Sequence, residues 1–299
     1  MSTRRRIANR LRAWWKRFGY WTAVTLRRRS ADPIYTDHNW LVAPKSLVDE
    51  KVCLLVTWCP GSQLSEHAQL LGRSWSTNGF RVVVIVVSNK VGDFDTHQDL
   101  SSFEGVMVRE NNGYDFGAWA TAIRSIPEVK RARSLVLTND SVFGPLSNFS
   151  KFLERMAAHP ADLVGAIGSR QSRPHIQSFL LMFKPAALKH TAFDRFWNKV
   201  RNGDREWAIR NYELPLQRHF LAAGLSAEPI LSAPAYLPDN TNPSLTIWRE
   251  LIEEGFPFVK VQLLRDNPAR ADLTNWQDFL AGHGYDPAVI ERHLGVRAH

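Results

Sequence analysis

The sequence predicts an α/β fold: a mostly parallel, doubly wound sheet flanked by helices. Three observations carry that expectation. Four short runs dense in apolar and β-branched residues recur along the chain, stretches with helical spacing separate them, and polar or glycine-containing turns close their carboxyl ends. Strands that alternate with helices need crossover connections, and crossovers make parallel neighbours.

The first run, Lys51 to Thr57, is ended by Cys59-Pro60-Gly61 and reads as a buried strand. From Ser65 to Trp75 the apolar positions recur at helical spacing (Leu64, Ala68, Leu71, Trp75), and Asn78-Gly79 supplies a helix stop. Arg81 to Ser88 is the second strand, too short and too rich in valine for a helix. Val106 to Arg109 is the third, followed by Asn112-Gly113 and a helix from about Phe116 to Ile126; Ser134 to Thr138 is the fourth, with Asn139-Asp140-Ser141 at its end. Beyond it the pattern predicts a helix over 151 to 160, a strand over Asp162 to Ile167, another over His175 to Lys184, helix over much of 192 to 224, and a further helix over 245 to 254. Ligands of such sheets bind outside the carboxyl ends of the strands, so the turns at those ends are where a site is expected.

The formal charge of +9 is concentrated at one end. Residues 1–29 hold ten Arg or Lys and no acid, and the rest of the chain balances 28 basic against 29 acidic residues. A neutral body without a recognition motif argues against nucleic acid as a partner. Trp14, Trp15, Phe18, Tyr20 and Trp21 stand among those cations, the composition of a helix lying in a membrane interface, with a solvated basic tail as the alternative. The sequence holds no uninterrupted run of about 18 apolar residues, the length that spans a bilayer. The expected division is therefore a membrane-surface arm and connector over 1–44 and one domain over 45–299, peripheral on the inner face of the plasma membrane. Two cysteines, Cys53 and Cys59, make neither a disulfide framework nor a metal site.

Several polar positions are candidates for chemistry. In the segment 109–119, Gly113 allows positive φ or close backbone approach; Asp115, near a helix start, either caps that helix or accepts hydrogen bonds from a ribose or base. Asn111 belongs to the same turn. Asp140, between Asn139 and Ser141, is an acid at the mouth of a buried sheet; an Asx-turn is its alternative role. A departing diphosphate needs its charge neutralised by Lys or Arg, or by a divalent cation such as Mg or Mn held between a carboxylate and phosphate oxygens. One carboxylate in the triplet leaves metal dependence open, with Asp140 the candidate ligand. Glu213 stands in an aromatic, apolar setting suited to a general base, a charge at a helix N-terminus being its alternative role. Lys260 follows an apolar stretch and suits a phosphate contact. His175, Gln177 and Ser178 are candidates for contacting sugar or acceptor.

Five segments in order, NNGYDFGAW (111–119), LTNDSVFGP (137–145), HIQSFLLMF (175–183), YELPLQRHFLAAG (212–224) and NPSLTIWRELIEEGFPFVKVQLLRDNP (242–268), resemble the rhamnan synthesis protein F family of bacterial polysaccharide biosynthesis. The resemblance covers roughly residues 50 to 280. It implies a GT-A-like, Rossmann-like fold and transfer of a sugar, dTDP-rhamnose or a related nucleotide sugar being the donor, to a polyprenyl-linked or cell-surface glycan such as an O-antigen. It also implies that Asp115 helps bind the nucleotide, that Asp140 takes the place of an Asp-x-Asp diphosphate and metal site, and that Lys260 touches the diphosphate. Here the triplet is Asn-Asp-Ser. If the nucleotide sugar is β-linked and the product α-linked, the reaction inverts and needs one base, for which Glu213 is the candidate. The alternative is a non-catalytic nucleotide-sugar or glycan-binding component of a polysaccharide assembly complex.

Overall fold

The computed structural model describes residues 38–89 and 91–296; the basic arm predicted over residues 1–29 lies outside them. A nine-stranded sheet forms the centre, in the order β1-β4-β3-β2-β5-β9-β7-β10, with β8 paired to β7 off that path. The strands are β1 (Asn39–Val42), β2 (Lys51–Trp58), β3 (Arg81–Val87), β4 (Gly105–Arg109), β5 (Ser134–Asn139), β7 (Leu163–Ser169), β8 (His175–Ile176), β9 (Leu180–Phe183) and β10 (Ala227–Ser232). β6 (Val142–Phe143) and β11 (Val259–Lys260) make a separate antiparallel ribbon. The four predicted strands are the parallel block β4-β3-β2-β5, and the fold class is the expected one: mixed α/β with a mostly parallel sheet.

Strand alternation sorts the side chains into two layers. Val52, Leu54 and Val56 of β2, Val83, Ile85 and Val87 of β3, and Leu135 and Leu137 of β5 pack on one face, beneath the helices Tyr114–Ser125, Thr191–Trp197 and Leu214–Leu221. Cys53 and Leu55, Val82, Val84 and Val86, and Val136 pack on the other, beneath the helices Glu66–Thr77 and Phe149–Ala158. A third core joins the β6–β11 ribbon to the helices Trp248–Glu253 and Pro287–Val296. Both cysteines are free and buried, and burial pushes the Cys53 thiol well up.

The helix after β2 behaves as its sequence suggests. The Ser65 hydroxyl accepts from the Ala68 amide at its start, and Gly79 takes φ 80° after its end. Three features depart from expectation. Asn39–Val42, within the stretch assigned to the connector, pairs antiparallel with β4 as the sheet edge. Ala227–Ser232 adds the opposite edge parallel to β7, where Pro229 costs little because an edge strand leaves one side unpaired. The strand expected over His175 to Lys184 is broken: Gly165 pairs with Leu181, but Gly168 pairs with Ile176, a register slip of two residues taken up at Ser178 and Phe179, while the Gln177 amide still donates to Ile167 O at 2.9 Å. No helix among the described residues is long and apolar enough to cross a membrane.

Candidate functional site

Alternation along β5 decides where the triplet points. Asn139 falls on the same face as Leu135 and Leu137, towards the helix Tyr114–Ser125, and its Nδ2 donates to Asp115 Oδ2 at 2.6 Å. Asp140 begins the turn out of β5, where its backbone amide donates to Val56 O. Its carboxylate is tied to the end of β2: Thr57 Oγ1 and the Trp58 amide both donate to Asp140 Oδ2, at 2.8 and 2.9 Å. The Asx-turn reading holds for the neighbouring asparagine, because Asn139 Oδ1 accepts from both the amide and the hydroxyl of Ser141, at 3.2 and 2.6 Å. The triplet is thus rigid, stitched to β2 on one side and to a helix start on the other.

Lys260 arrives from far along the chain. The β6–β11 ribbon pairs Lys260 with Val142, and the Val261 amide donates to Ser141 O at 2.9 Å. The Lys260 amine donates to Ser141 Oγ at 3.1 Å and lies 3.6 Å from the centre of the Phe179 ring. Burial lowers its pKa to about 7, against the opposing pull of Glu213 and Asp115, while Arg205 adds to the lowering. Asp115 is shifted the other way, to about 6, by burial and by the nearby Asp140; Asn139 and Lys260 oppose that rise and Glu213 adds to it. One acid and one base in contact with a single charge network are therefore both drawn towards neutrality.

The opposite wall carries Glu213. It ends a π-helical turn, Ile209–Glu213, that interrupts the run from Arg205 to Leu221, and such turns are a frequent device for re-aiming side chains at sites. Its neighbour Tyr212 is anchored: the Tyr212 hydroxyl accepts from the Arg201 amide at 2.7 Å and from Trp207 Nε1 at 3.2 Å. Glu213 Oε1 lies 3.8 Å from Nε2 of His175, a ring that β8 holds in place and whose Nδ1 meets Arg173 O at 2.8 Å. Gln177, the last residue before the bulge, donates through its side chain to Asn242 Oδ1 at 2.8 Å and accepts from the Ser244 hydroxyl at 3.0 Å. Asn242 ends a loop, residues 233–242, gripped by Arg170, whose guanidinium donates to Asp239 and to the carbonyls of Ala233, Pro234 and Leu237.

These walls enclose one cavity of about 1010 Å³. Of the candidates read from sequence, Asp115, Asn139, Asp140, Ser141, His175, Gln177, Ser178, Glu213 and Lys260 all line it. Asn111 and Gly113 do not. Asn111 is exposed on the loop after β4, and Gly113 is the left-handed residue, φ 78°, that turns that loop into the helix. Cys59-Pro60-Gly61 and Ser88-Asn89, also at strand ends, stand outside the cavity lining. Residues not singled out in the sequence include Tyr114, Arg205 and Arg265 on the walls, and Thr57 and Trp58 behind Asp140. A hydroxyl at the last turn of a buried strand was the available signal for Thr57; the arginines carry none beyond their charge.

Among the described residues no three His, Cys, Asp or Glu side chains are grouped to hold a metal ion. One oxygen of Asp140 already accepts two hydrogen bonds, and the Lys260 amine stands on the adjoining serine.

Several known proteins are similar to this chain. The chain is 26% identical over 218 residues to the virulence protein VirA of Vibrio anguillarum, covering 62% of the chain and 70% of that protein. It is 26% identical over 211 residues to the uncharacterized protein y4gN of Sinorhizobium fredii, covering 69% of the chain but only 54% of that relative. A mannosyltransferase of Pyrobaculum calidifontis, solved with GDP-Man and Mn2+, aligns at 15% identity with a TM-score of 0.33 over 87% of this chain and 72% of its own, a likeness too slight to transfer any residue or ligand. Residues 83–294, a span that takes in every wall of the cavity, match rhamnan synthesis protein F, and the chain belongs to that family.

Proposed function

We propose that the protein is a glycosyltransferase of polysaccharide synthesis, moving a sugar from a nucleotide-sugar donor to a glycan acceptor. The observation that carries this reading is the pairing of walls in one cavity: a buried amine at the carboxyl edge of a parallel sheet, and a carboxylate facing the same space from a separate helix. When the bond between anomeric carbon and diphosphate breaks, the electron pair leaves with the diphosphate oxygen. A preorganised cation in a water-poor site stabilises that charge without having to reorganise. Lys260 takes this role, with Arg205 close enough to add to the field.

Glu213 is the base. It takes the proton of an acceptor hydroxyl as that oxygen bonds the anomeric carbon from the face opposite the leaving diphosphate, so configuration inverts. His175 is buried beside it, with Nε2 3.8 Å from Glu213 Oε1. The family supports rhamnose as the sugar, carried as dTDP-rhamnose or a related nucleotide sugar, and a polyprenyl-linked or surface glycan as acceptor. A divalent cation in this scheme would be shared between Asp140 and the diphosphate.

The test is transfer itself. Wild-type protein, offered a panel of labelled nucleotide sugars and a glycan acceptor, should form product from one of them. Glu213→Gln should lower kcat by about 10²–10⁴-fold with donor affinity unchanged by calorimetry. Near-normal turnover in that variant would remove Glu213 as base, and failure of every donor to bind or react would end the transferase reading.

The cations and aromatic rings of residues 1–29 support a place on the inner face of the plasma membrane. A chain lacking residues 1–29 should no longer sediment with vesicles containing anionic lipid, yet should still act on a soluble acceptor. Undiminished sedimentation would exclude the arm as the anchor.

A further inference from the structure

Tyr114 is held in a conformation that a tyrosine rarely adopts. Its φ is 53°, directly after Gly113 at 78°, so two consecutive residues are left-handed where only the first is a glycine. For a bulky L-residue this region is crowded by its own Cβ, and such strain persists only when the surroundings fix it. Here they do. The Gly117 amide donates to Gly113 O at 2.8 Å, closing the first helical turn. On one side Asp115 is bound to Asn139, and Phe116 is packed against Trp119, Trp197 and Tyr212 with ring centres 5.5 to 6.0 Å apart.

What the strain secures is the position of the ring. Five large apolar side chains are exposed among the described residues, Leu41, Val42, Tyr114, Leu221 and Tyr236, and of these only Tyr114 lines the cavity. It is 43% exposed amid walls that are otherwise largely polar and charged. A flat, wet aromatic face of this kind gains most from a flat partner that removes it from water.

The sheet order says which part of a donor that is. Tyr114 follows β4, Asp140 and Ser141 follow β5, and His175 with Glu213 stands beyond, next to β7. A donor with its diphosphate at Lys260 and its anomeric carbon turned to Glu213 sends its other end back towards β4. We infer that the Tyr114 ring is the stacking platform for the nucleobase of the donor, a specificity contact added to the nucleotide-sugar reading above, on which it rests. The strained backbone keeps the ring fixed before the base arrives, so binding does not have to order it.

The experiment separates the base from the diphosphate and the ring from the fold. Uridine, thymidine and guanosine diphosphates, with inorganic pyrophosphate as a baseless probe, are titrated into full-length wild type, Tyr114→Gly, Tyr114→Asn and Tyr114→Phe. Gly and Asn are at ease at positive φ, so both variants should melt no lower than wild type. The nucleoside diphosphate that wild type binds should bind Tyr114→Gly and Tyr114→Asn about 5- to 100-fold more weakly, as loss of a stacked base does. Tyr114→Phe should bind nearly as wild type, and pyrophosphate should bind all four alike. Wild-type affinity for the nucleotide in Tyr114→Gly, loss of pyrophosphate binding along with it, or a Tyr114→Phe as weak as the glycine variant would each overturn the inference. If wild type binds pyrophosphate but none of the nucleoside diphosphates, the donor reading itself falls, and the inference with it.

Discussion

A lysine amine brought down to about pH 7 by burial is half charged in neutral solution, and an incoming anion restores its charge. If Lys260 meets the donor's diphosphate as proposed, binding should therefore raise its pKa and take up a proton. The sign follows: between pH 7 and 9 the free protein increasingly lacks the charge that the complex needs, so nucleotide affinity should fall as pH rises, by at most about tenfold per pH unit. In Lys260→Met affinity should be weaker and nearly flat over that range. Dissociation constants measured from pH 6.5 to 9 check this, and a flat wild-type profile would exclude Lys260 as the diphosphate contact. For the protein without ligand the two shifts act in opposite windows. The lowered Lys260 makes stability rise from about pH 7 towards the ordinary lysine value, because the unfolded chain there binds the proton that the folded one has lost. The raised Asp115 makes stability fall as pH climbs from its ordinary value to about 6. At this scale the sequence is readable wherever strand parity governs: Asn139 and Asp140 can be assigned to opposite directions from the alternation of Leu135 to Thr138. Tyr114 is not readable, since Asn112-Gly113 announces one left-handed residue and nothing announces a second.

The interrupted strand is the element on which the cavity wall carrying His175 and Gln177 depends. Gly165 makes the break tolerable: a Cβ added there would overlap Ile176 Cγ2, so the glycine lets β8 lie down against β7 beside it. Gly165→Ala should cost about 1–3 kcal/mol in urea denaturation and lower kcat more than it changes donor affinity, because Ile176 carries His175 with it when it moves. Gly92→Ala, where an added Cβ meets nothing within 4 Å, is the control and should be neutral within about 0.5 kcal/mol. Equal losses in both would show that the break does not position the site. His175 to Lys184 reads as one strand because all its apolar residues suit a strand; the two-residue slip is set by the partner β7, which no local pattern reveals. β10 is hidden for a related reason. Glu228 and Pro229 are poor strand residues, and only the edge position makes them acceptable.

Over the whole molecule, what is legible and what is not divide along sequence distance. The block β4-β3-β2-β5 announces itself because each strand is a compact apolar run with its own stop, and the edge where ligands collect follows from it. The far walls come from the π-turn at Glu213, the Arg170-held loop and the β6–β11 ribbon that sets Lys260 beside Ser141, 119 positions away. Short ribbons and loops of this kind are fixed by tertiary packing and leave little trace in local composition. Yet the Arg170 grip has a consequence of its own. Apart from Asp239, it holds residues 233–242 by carbonyl oxygens, groups that every amino acid supplies. Asn240 and Thr241, which face the cavity from this loop, are not themselves part of that grip. Asn240 stands at φ 75° and the Thr241 hydroxyl donates to Pro238 O at 2.6 Å, so exchange at these two positions, through evolution or in the laboratory, is confined to side chains that suit that turn. Within that set the lining of the cavity can change while the backbone that Arg170 holds stays where it is.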